Sequence, residues 1–333
     1  MVVTCSGARL LFVVLLLPAL NFPALTFQSD LNGPSVRLTP TRTRESAAPK
    51  SYPEPTLRVD TSLVLIPAQV TTREGSPIMD LKRQDFRIYE DGAEQEVAYF
   101  AKDDAPVSVG LLLDSSGSMR NKKQKSSEAA AAFFKTANSE DEFFLIEFDD
   151  RPKLAIPFTK DTDLLYQEIR HLRPYGRTSL FDAIHMALGV MKTAQHSRKA
   201  LVIVSDGGDN RSRHTFTAVK GDMLEADVQL YAMGIFDADG PDKGSPEESN
   251  GPQLLDQLAE ITGGRHFPVL NLGTLADVST RIGQLLRNQY VLGYNPTNSS
   301  RDGRYRGVKL DLAAAADPGV HVQYRKGYYA PQQ

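Results

Sequence analysis

Apolar residues along the chain fall into runs of two lengths, and the order of these runs predicts the fold. Between residue 106 and about residue 289, short continuous apolar runs such as VSVGLLLD, EFFLIEFD and KALVIVSD alternate with longer amphipathic runs. Strands that are apolar throughout are typical of a sheet covered by helices on both faces. The alternation therefore predicts a doubly wound, mostly parallel α/β sheet. Helices are predicted over 122–137, 161–172, 179–194, 216–226, 252–262 and 274–289.

Strand patterns flank this region on both sides. Residues 56–104 carry β-branched and aromatic residues in partial period-two alternation, and the turn-forming EDGAEQ separates two of the predicted strands. Residues 290–333 return to the same pattern. Since each β unit is too small to be stable alone, we expect the two to pair into one small β-sandwich. The α/β domain, residues 105–289, would then be inserted between them.

The first 55 residues follow neither pattern. Arg9 precedes the apolar run LLFVVLLLPAL, which has the length of a signal-peptide core and is too short for a membrane span of about 20 residues. We predict a signal peptide over 1–26 and a disordered linker, rich in Pro, Ser, Thr and Arg, over 27–55. The protein is thus expected to be exported, to a periplasmic, extracellular or envelope-associated location. The alternative for the first segment is an uncleaved membrane anchor.

Composition and charge narrow the classes of function. The chain has 38 basic and 41 acidic residues, a net charge of -3, which gives no case for nucleic acid or an anionic membrane surface as partner. Its one cysteine, Cys5, excludes an intrachain disulfide and a cysteine-based zinc cluster. The six histidines lack the spacing of metal ligands, so surface or core roles are predicted for them.

Polar residues interrupt the apolar pattern in three loops. DSSGS follows the first α/β strand, YGRTSLFDA opens a helix, and VSDGGDN follows a later strand. Ligands of an open α/β sheet bind at the carboxyl ends of its strands, where these loops should meet. Hydroxyl and carboxylate oxygens suit Mg²⁺, Mn²⁺ or Ca²⁺. In an extended segment the first, third and fifth residues of DSSGS point the same way and Ser115 points away. The candidate ligands are Asp114, Ser116, Ser118, Thr178 and Asp206.

This set resembles the metal-ion-dependent adhesion site of von Willebrand factor type A (VWA) domains, where D-x-S-x-S is followed by a distant Thr and a distant Asp. The resemblance covers about residues 106–289, and the flanking DFRIYEDG and RKGYYAP resemble bacterial secreted proteins described as VWFA-related. It implies that the two serines bind the ion directly and that the two aspartates act directly or through water. Thr178 would join when the site is engaged.

The same resemblance implies a function. With two carboxylates around a dication, the ion retains affinity for one more anionic oxygen, which a Glu or Asp of a partner protein can supply. The predicted function is therefore an exported, non-enzymatic protein-binding or adhesion module. In related domains a shift of the last helix, here 274–289, is coupled to the geometry of the metal site.

Each of these candidate residues also has a simpler structural interpretation. Alone, each aspartate or serine of the first loop could cap a helix. Asp209 could support the metal ligands, but a solvated loop acid is favoured. Asp182 could hydrogen-bond within the site, but the preferred interpretation is that its negative charge stabilises the N-terminus of a helix. The acidic stretch 236–252 is interpreted as a solvated insertion, because it lacks the closing acid of a calcium loop.

Two rival functions belong to other classes. One is a Mg²⁺-dependent hydrolase or phosphatase of α/β type. It is disfavoured because Ser116 stands where such sites carry a second acid, and because no phosphate-binding P-loop or G-x-S-x-G nucleophile motif occurs. The other is a structural envelope-assembly protein in which the ion only stabilises loops. The sequence indicates no oligomeric state.

Overall fold

The computed structural model describes residues 63–73, 75–236, 246–312 and 319–332, with Asp103 and residues 246–249 described for their backbone alone. The described residues belong to one compact unit. The predicted signal peptide, the linker and the aspartates of 237–245 lie outside the described residues. None of the described helices is long and apolar enough to cross a membrane.

Strands and helices follow one another in the predicted alternation. The strands are β1 Val64–Thr71, β2 Phe86–Glu90, β3 Ala93–Gln95, β4 Tyr99–Asp103, β5 Val107–Asp114, β6 Glu142–Phe148, β7 Pro152–Thr159, β8 Arg198–Ser205, β9 Gln229–Ile235, β10 Arg265–Val269, β11 Gln289–Tyr294, β12 Tyr305–Leu312, β13 His321–Tyr324 and β14 Gly327–Tyr329. The helices are α1 Lys123–Phe134, α2 Thr162–His171, α3 Leu180–Met191, α4 Phe216–Ala226, α5 Pro246–Thr262 and α6 Leu275–Arg287.

A six-stranded sheet in the order β10-β9-β8-β5-β6-β7 forms the centre of the α/β region. Its neighbouring strands are parallel except for β6 and β7, which are antiparallel. Leu111 and Leu113 of β5 face one apolar cluster with α1, α2 and α6, and Leu112 faces a second cluster with α3, α4 and α5. Both faces of β5 are thus buried, which explains its unbroken apolar run. The predicted fold class is confirmed.

One helix starts earlier than predicted. The prediction placed its start at Pro252, whereas α5 begins at Pro246 and continues through Pro252. Pro246 stands in the first turn, where a missing N–H group costs nothing. The last residues of the stretch predicted as a solvated insertion, 236–252, are therefore helical.

The strands before and after the α/β region pair with each other. One sheet has the order β13-β1-β11-β4 and the other β14-β12-β2-β3, so each combines strands from both ends of the described chain. Their shared core contains Ile66, Ile88, Tyr290, Leu292 and Leu310. The small β-sandwich included in the predicted fold class is therefore present, while the predicted domain boundaries stay a prediction.

The sandwich meets the central sheet along a polar seam. Gln69 of β1 donates a hydrogen bond from Nε2 to the hydroxyl of Tyr231 in β9. Gln289, the first residue of β11, donates from Nε2 to Gln229 Oε1 at 2.9 Å and to the Tyr231 hydroxyl at 3.4 Å. Gly263, between α5 and β10, lies against the backbone of Tyr324 at the end of β13.

Replacing Gly263 by alanine should destabilise this seam. Gly263 has φ +75°, and an added Cβ would lie 2.5 Å from Arg325 N and from Tyr324 C. A residue other than glycine is strained in that region of φ, and we expect a loss of about 1–3 kcal/mol in the free energy of unfolding. Urea denaturation would measure it. Gly221→Ala in α4 is the control, because its Cβ meets nothing within 4 Å and alanine favours helix. Equal stability of the two variants would contradict the prediction.

Candidate metal centre

The first loop leaves β5 at Asp114 and turns at once. Ser116 N donates to Asp114 Oδ1 at 2.9 Å, and a 3-10 turn over Gly117–Met119 follows, with Met119 N donating to Ser116 O at 3.1 Å. The hydroxyls of Ser116 and Ser118 lie 3.0 Å apart. The expectation that an extended segment aligns these side chains is wrong, because it is the turn that brings the two hydroxyls together.

The remaining side chain of this loop points elsewhere. Ser115 donates from its backbone N and its hydroxyl to the carbonyl oxygen of Phe148 at the end of β6, at 2.8 and 3.2 Å. Helix capping does not explain the loop either. Ser116 precedes the 3-10 turn without a side-chain capping hydrogen bond, and Lys122, at the N-cap of α1, makes none.

Hydrogen bonds hold the three predicted loops together. Between the first and second loops, Gly117 N donates to Gly176 O at 3.0 Å and Tyr175 N to Ser115 O at 2.8 Å. Between the first and third, the hydroxyl of Ser205 donates to Asp114 Oδ2 at 2.6 Å. The structure thus brings the DSSGS loop to both of the other loops at the carboxyl edge of the central sheet.

The second and third loops are joined most densely. Thr178 N donates to Asn210 Oδ1 at 3.0 Å, and Asn210 N donates back to Thr178 O at 3.1 Å. Asp209 Oδ2 accepts from Phe181 N at 2.9 Å and from the hydroxyl of Ser212 at 2.6 Å. The favoured interpretation of Asp209 as a solvated loop acid is wrong, because this carboxylate binds the first turn of α3 to the third loop.

Asp182 strengthens the same junction. It lies in the first turn of α3 as expected, and its Oδ1 accepts from the backbone N of Arg213 and of His214, both at 3.0 Å. The His214 ring contacts the same oxygen through Nδ1 at 2.7 Å. Burial raises the pKa of Asp182, but the hydrogen bonds from His214 and Arg213 outweigh it and the pKa is lowered. Asp182 therefore joins α3 to the third loop as well as occupying the helix N-terminus.

Four of the five candidate ligands are buried. Asp114, Ser116, Thr178 and Asp206 are 6%, 1%, 4% and 9% exposed, whereas Ser118 is partly exposed. Burial and the neighbouring negative charge of Asp206 raise the pKa of Asp114 to about 7, against hydrogen bonds from Ser116 and Ser205 that lower it. The negative charges of these two buried carboxylates repel each other, so a cation between them would be stabilising.

Sequence reasoning missed one charged group at this edge. Lys122 Nζ lies 3.8 Å from Asp206 Oδ2 and donates to the carbonyl oxygen of Ile235, at the end of β9, at 3.3 Å. Both charged side chains are largely buried, at 11% and 12% exposure. In the sequence Lys122 is one of several lysines at the start of a predicted helix, and nothing there distinguishes it from exposed neighbours.

The donor set fits a hard divalent cation. Ser116, Ser118 and Thr178 offer hydroxyl oxygens and Asp114 and Asp206 offer carboxylates, which are ligand types of Mg²⁺, Mn²⁺ and Ca²⁺. Within the described residues, no group of three or more His, Cys, Asp or Glu side chains is arranged to hold a metal ion. A site here therefore depends on its hydroxyl ligands, and a zinc site of the usual kind is not formed by these residues.

Removing the Asp209 carboxylate should loosen the second loop. Asp209→Ala deletes the acceptor for Phe181 N at the start of α3 and for Ser212, and losses of this kind cost about 0.5–2 kcal/mol. Thermal and urea unfolding would measure the change. Asp163→Ala is the control, because Asp163 occupies the exposed first turn of α2. If both variants lost the same stability, the carboxylate would not be joining the loops.

Comparison with known families supports the resemblance seen in the sequence. Residues 109–208 match the family model described as von Willebrand factor type A domain. All five candidate ligands lie inside the matched residues. No curated protein sequence matches the chain.

Several solved structures are similar to the chain at low identity. An aerotolerance-related membrane protein from Bacteroides fragilis is 19% identical, covering 54% of this chain and 98% of that chain, with a TM-score of 0.45. A von Willebrand factor type A protein from Catenulispora acidiphila is 12% identical, covering 82% and 74%, with a TM-score of 0.48. The vWF domain of the pili tip protein Mfa5 from Porphyromonas gingivalis is 17% identical, covering 55% and 95%, with a TM-score of 0.42. At these values none of the three bears on what this chain binds.

Proposed function

We propose that the chain, which contains a von Willebrand factor type A domain, is an exported binding module that captures an acidic side chain of a partner protein through a divalent cation. Mg²⁺, Mn²⁺ or Ca²⁺ would be held by Asp114, Ser116, Ser118, Thr178 and Asp206. When bound, the cation supplies a coordination position for a carboxylate oxygen of the partner. The role is non-enzymatic and lies outside the cytoplasm.

One observation supports this proposal: hydrogen bonds join the three loops that carry the five candidate ligands at one edge of the sheet. Ser205 holds Asp114 in place from the third loop, and Asn210 holds Thr178. The first bond engages one carboxylate oxygen of Asp114 and the second engages the backbone of Thr178. The hydroxyls of buried Ser116 and partly exposed Ser118 contact each other. Preorganised oxygen ligands reduce the conformational cost of binding an ion.

The surroundings favour an anionic ligand rather than a chemical reaction. The Ser205 hydroxyl orients Asp114 by a hydrogen bond, and the charge of Lys122 partly neutralises Asp206. A general base or nucleophile needs a substrate within hydrogen-bond reach and a partner that activates it. The hydroxyls of Ser116 and Ser118 have each other as neighbours, and the histidine ring at this edge, His214, is engaged by Asp182.

Magnesium should bind the full chain and stabilise it. At a concentration of about 100 times Kd, a ligand specific for the folded state adds about 2.7 kcal/mol to the free energy of unfolding. Isothermal titration calorimetry and thermal unfolding would measure binding and stabilisation. Asp206→Asn should lose both, since it removes one of two anionic ligands. Asp277→Asn, an exposed acid in the first turn of α6, should behave as the natural chain. Equal magnesium binding by the two variants would contradict the assignment.

Capture of a carboxylate should require the metal. A short C-terminally amidated peptide with a single glutamate should bind the magnesium-loaded chain, and the same peptide with glutamine should not, because only the glutamate carboxylate supplies the missing anionic oxygen. Chelation of the metal should abolish capture, as should Asp206→Asn. Magnesium binding with no discrimination between the two peptides would contradict the capture function and favour an ion that only stabilises loops.

A further inference from the structure

Lys122 places a positive charge inside the candidate cation site. Its side chain is 11% exposed, its Nζ lies 3.8 Å from Asp206 Oδ2, and the same Nζ donates to Ile235 O at 3.3 Å. The amine is thus held from two strand ends, β8 and β9, and does not project into solvent. An ammonium group beside a metal-binding carboxylate repels a dication, and burial weakens the screening of that repulsion.

We propose that Lys122 is a resident counter-ion of Asp206 that weakens cation binding by the empty site and makes it depend on an acidic ligand. This inference rests on the proposed function. In the absence of a dication, the ammonium group balances the charge of Asp206. It thereby stabilises a largely buried carboxylate whose ion pair among the described residues is with Lys122.

The net charge of the loaded site explains the dependence on a ligand. A dication, the two carboxylates of Asp114 and Asp206 and the ammonium of Lys122 sum to one positive charge. A carboxylate from a partner brings this sum to zero. Without Lys122, the dication and the two carboxylates are neutral on their own, so the arriving carboxylate gains less. Lys122 therefore favours anionic ligands over neutral ones such as an amide or hydroxyl oxygen.

The position of Lys122 in the fold makes this role specific to it. Lys122 directly precedes α1 and its carbonyl oxygen accepts from Ser126 N at 2.9 Å, which fixes its backbone at the edge of the sheet. Lys125, one turn further, pairs instead with Glu128 at 2.7 Å on the exposed surface of the same helix. The two lysines carry the same charge at the start of α1 but differ in their electrostatic surroundings, so Lys125 is a matched control.

The test compares Lys122→Met and Lys125→Met in the full chain. Methionine keeps the aliphatic length and removes the charge. We expect Lys122→Met to bind Mg²⁺ at least tenfold more tightly than the natural chain by calorimetry, about 1.4 kcal/mol, and Lys125→Met to be unchanged. We also expect the glutamate-containing peptide to raise the magnesium affinity of the natural chain by a larger factor than that of Lys122→Met. By linkage, magnesium raises peptide affinity by the same factor.

A second measurement does not involve metal. In the presence of a chelator, Lys122→Met should have a lower urea midpoint than Lys125→Met, because it leaves Asp206 buried without its counter-ion. Lys122→Gln, which keeps a donor for Ile235 O and removes the charge, should repeat both effects. If Lys122→Met and Lys122→Gln behave alike, the effects come from the loss of the charge and not from the loss of the hydrogen bond. Having two variants also keeps the test possible if one of them does not fold.

The outcomes separate this inference from the proposed function. If the natural chain binds magnesium and Lys122→Met binds it within twofold of the same affinity, the role of Lys122 is wrong and the metal site stands. If magnesium binds to Lys122→Met and Lys122→Gln but to neither the natural chain nor Lys125→Met, the role of Lys122 is supported and the proposed function of the natural chain is wrong. If none of these chains binds magnesium, both are wrong. A chelator-treated Lys122→Met as stable as Lys125→Met overturns the counter-ion role.

Discussion

The parallel pairing of β5 with β8 is the constraint on which the candidate site depends. In this register Leu113 lies opposite Val204, so Asp114 and Ser205 come next on their two strands and the hydroxyl reaches the carboxylate at 2.6 Å. Asp206 follows directly. Because side chains alternate along a strand, a shift of one residue in the β5–β8 pairing would no longer place the side chains of Asp114 and Ser205 on the same face of the sheet. The apolar core on both faces of β5 fixes this register and thereby places two like charges together.

Unlike the first and third loops, the second loop does not follow a strand of the central sheet. It connects α2 to α3 and contributes Thr178, whose position relies on polar contacts with its neighbours. Asn210 makes those contacts. Asp209 and Asp182 add hydrogen bonds next to them, one from the third loop to the first turn of α3 and the other from α3 to residues just after the third loop. The site is therefore held by core packing on one side and by a hydrogen-bond network on the other. The network is the part that point substitutions disturb most easily.

The core packing could be predicted from the sequence, whereas the hydrogen-bond network could not. Continuous apolar runs predicted the central sheet, and the place where each run stops predicted that DSSGS and Asp206 share an edge. The turn that joins Ser116 to Ser118 was not predictable from alternation, because a 3-10 hydrogen bond overrides the extended geometry. Asp209 and Lys122 were misjudged or missed for a related reason. Their partners, Phe181 and Asp206, are 28 and 84 positions away in the chain, and no local pattern records contacts of that range.

The sandwich and the candidate site are both supported by β9. Tyr231 in this strand accepts hydrogen bonds from Gln69 of β1 and from Gln289 of β11 at the polar seam. Four residues later, Ile235 ends the strand and its carbonyl oxygen holds the amine of Lys122. β9 is paired on both sides, with β8 and β10, so its two ends cannot shift independently without breaking the ladder. The flanking β-sandwich, built from strands that come before and after the α/β region, therefore supports the strand that holds Lys122 beside the candidate cation site.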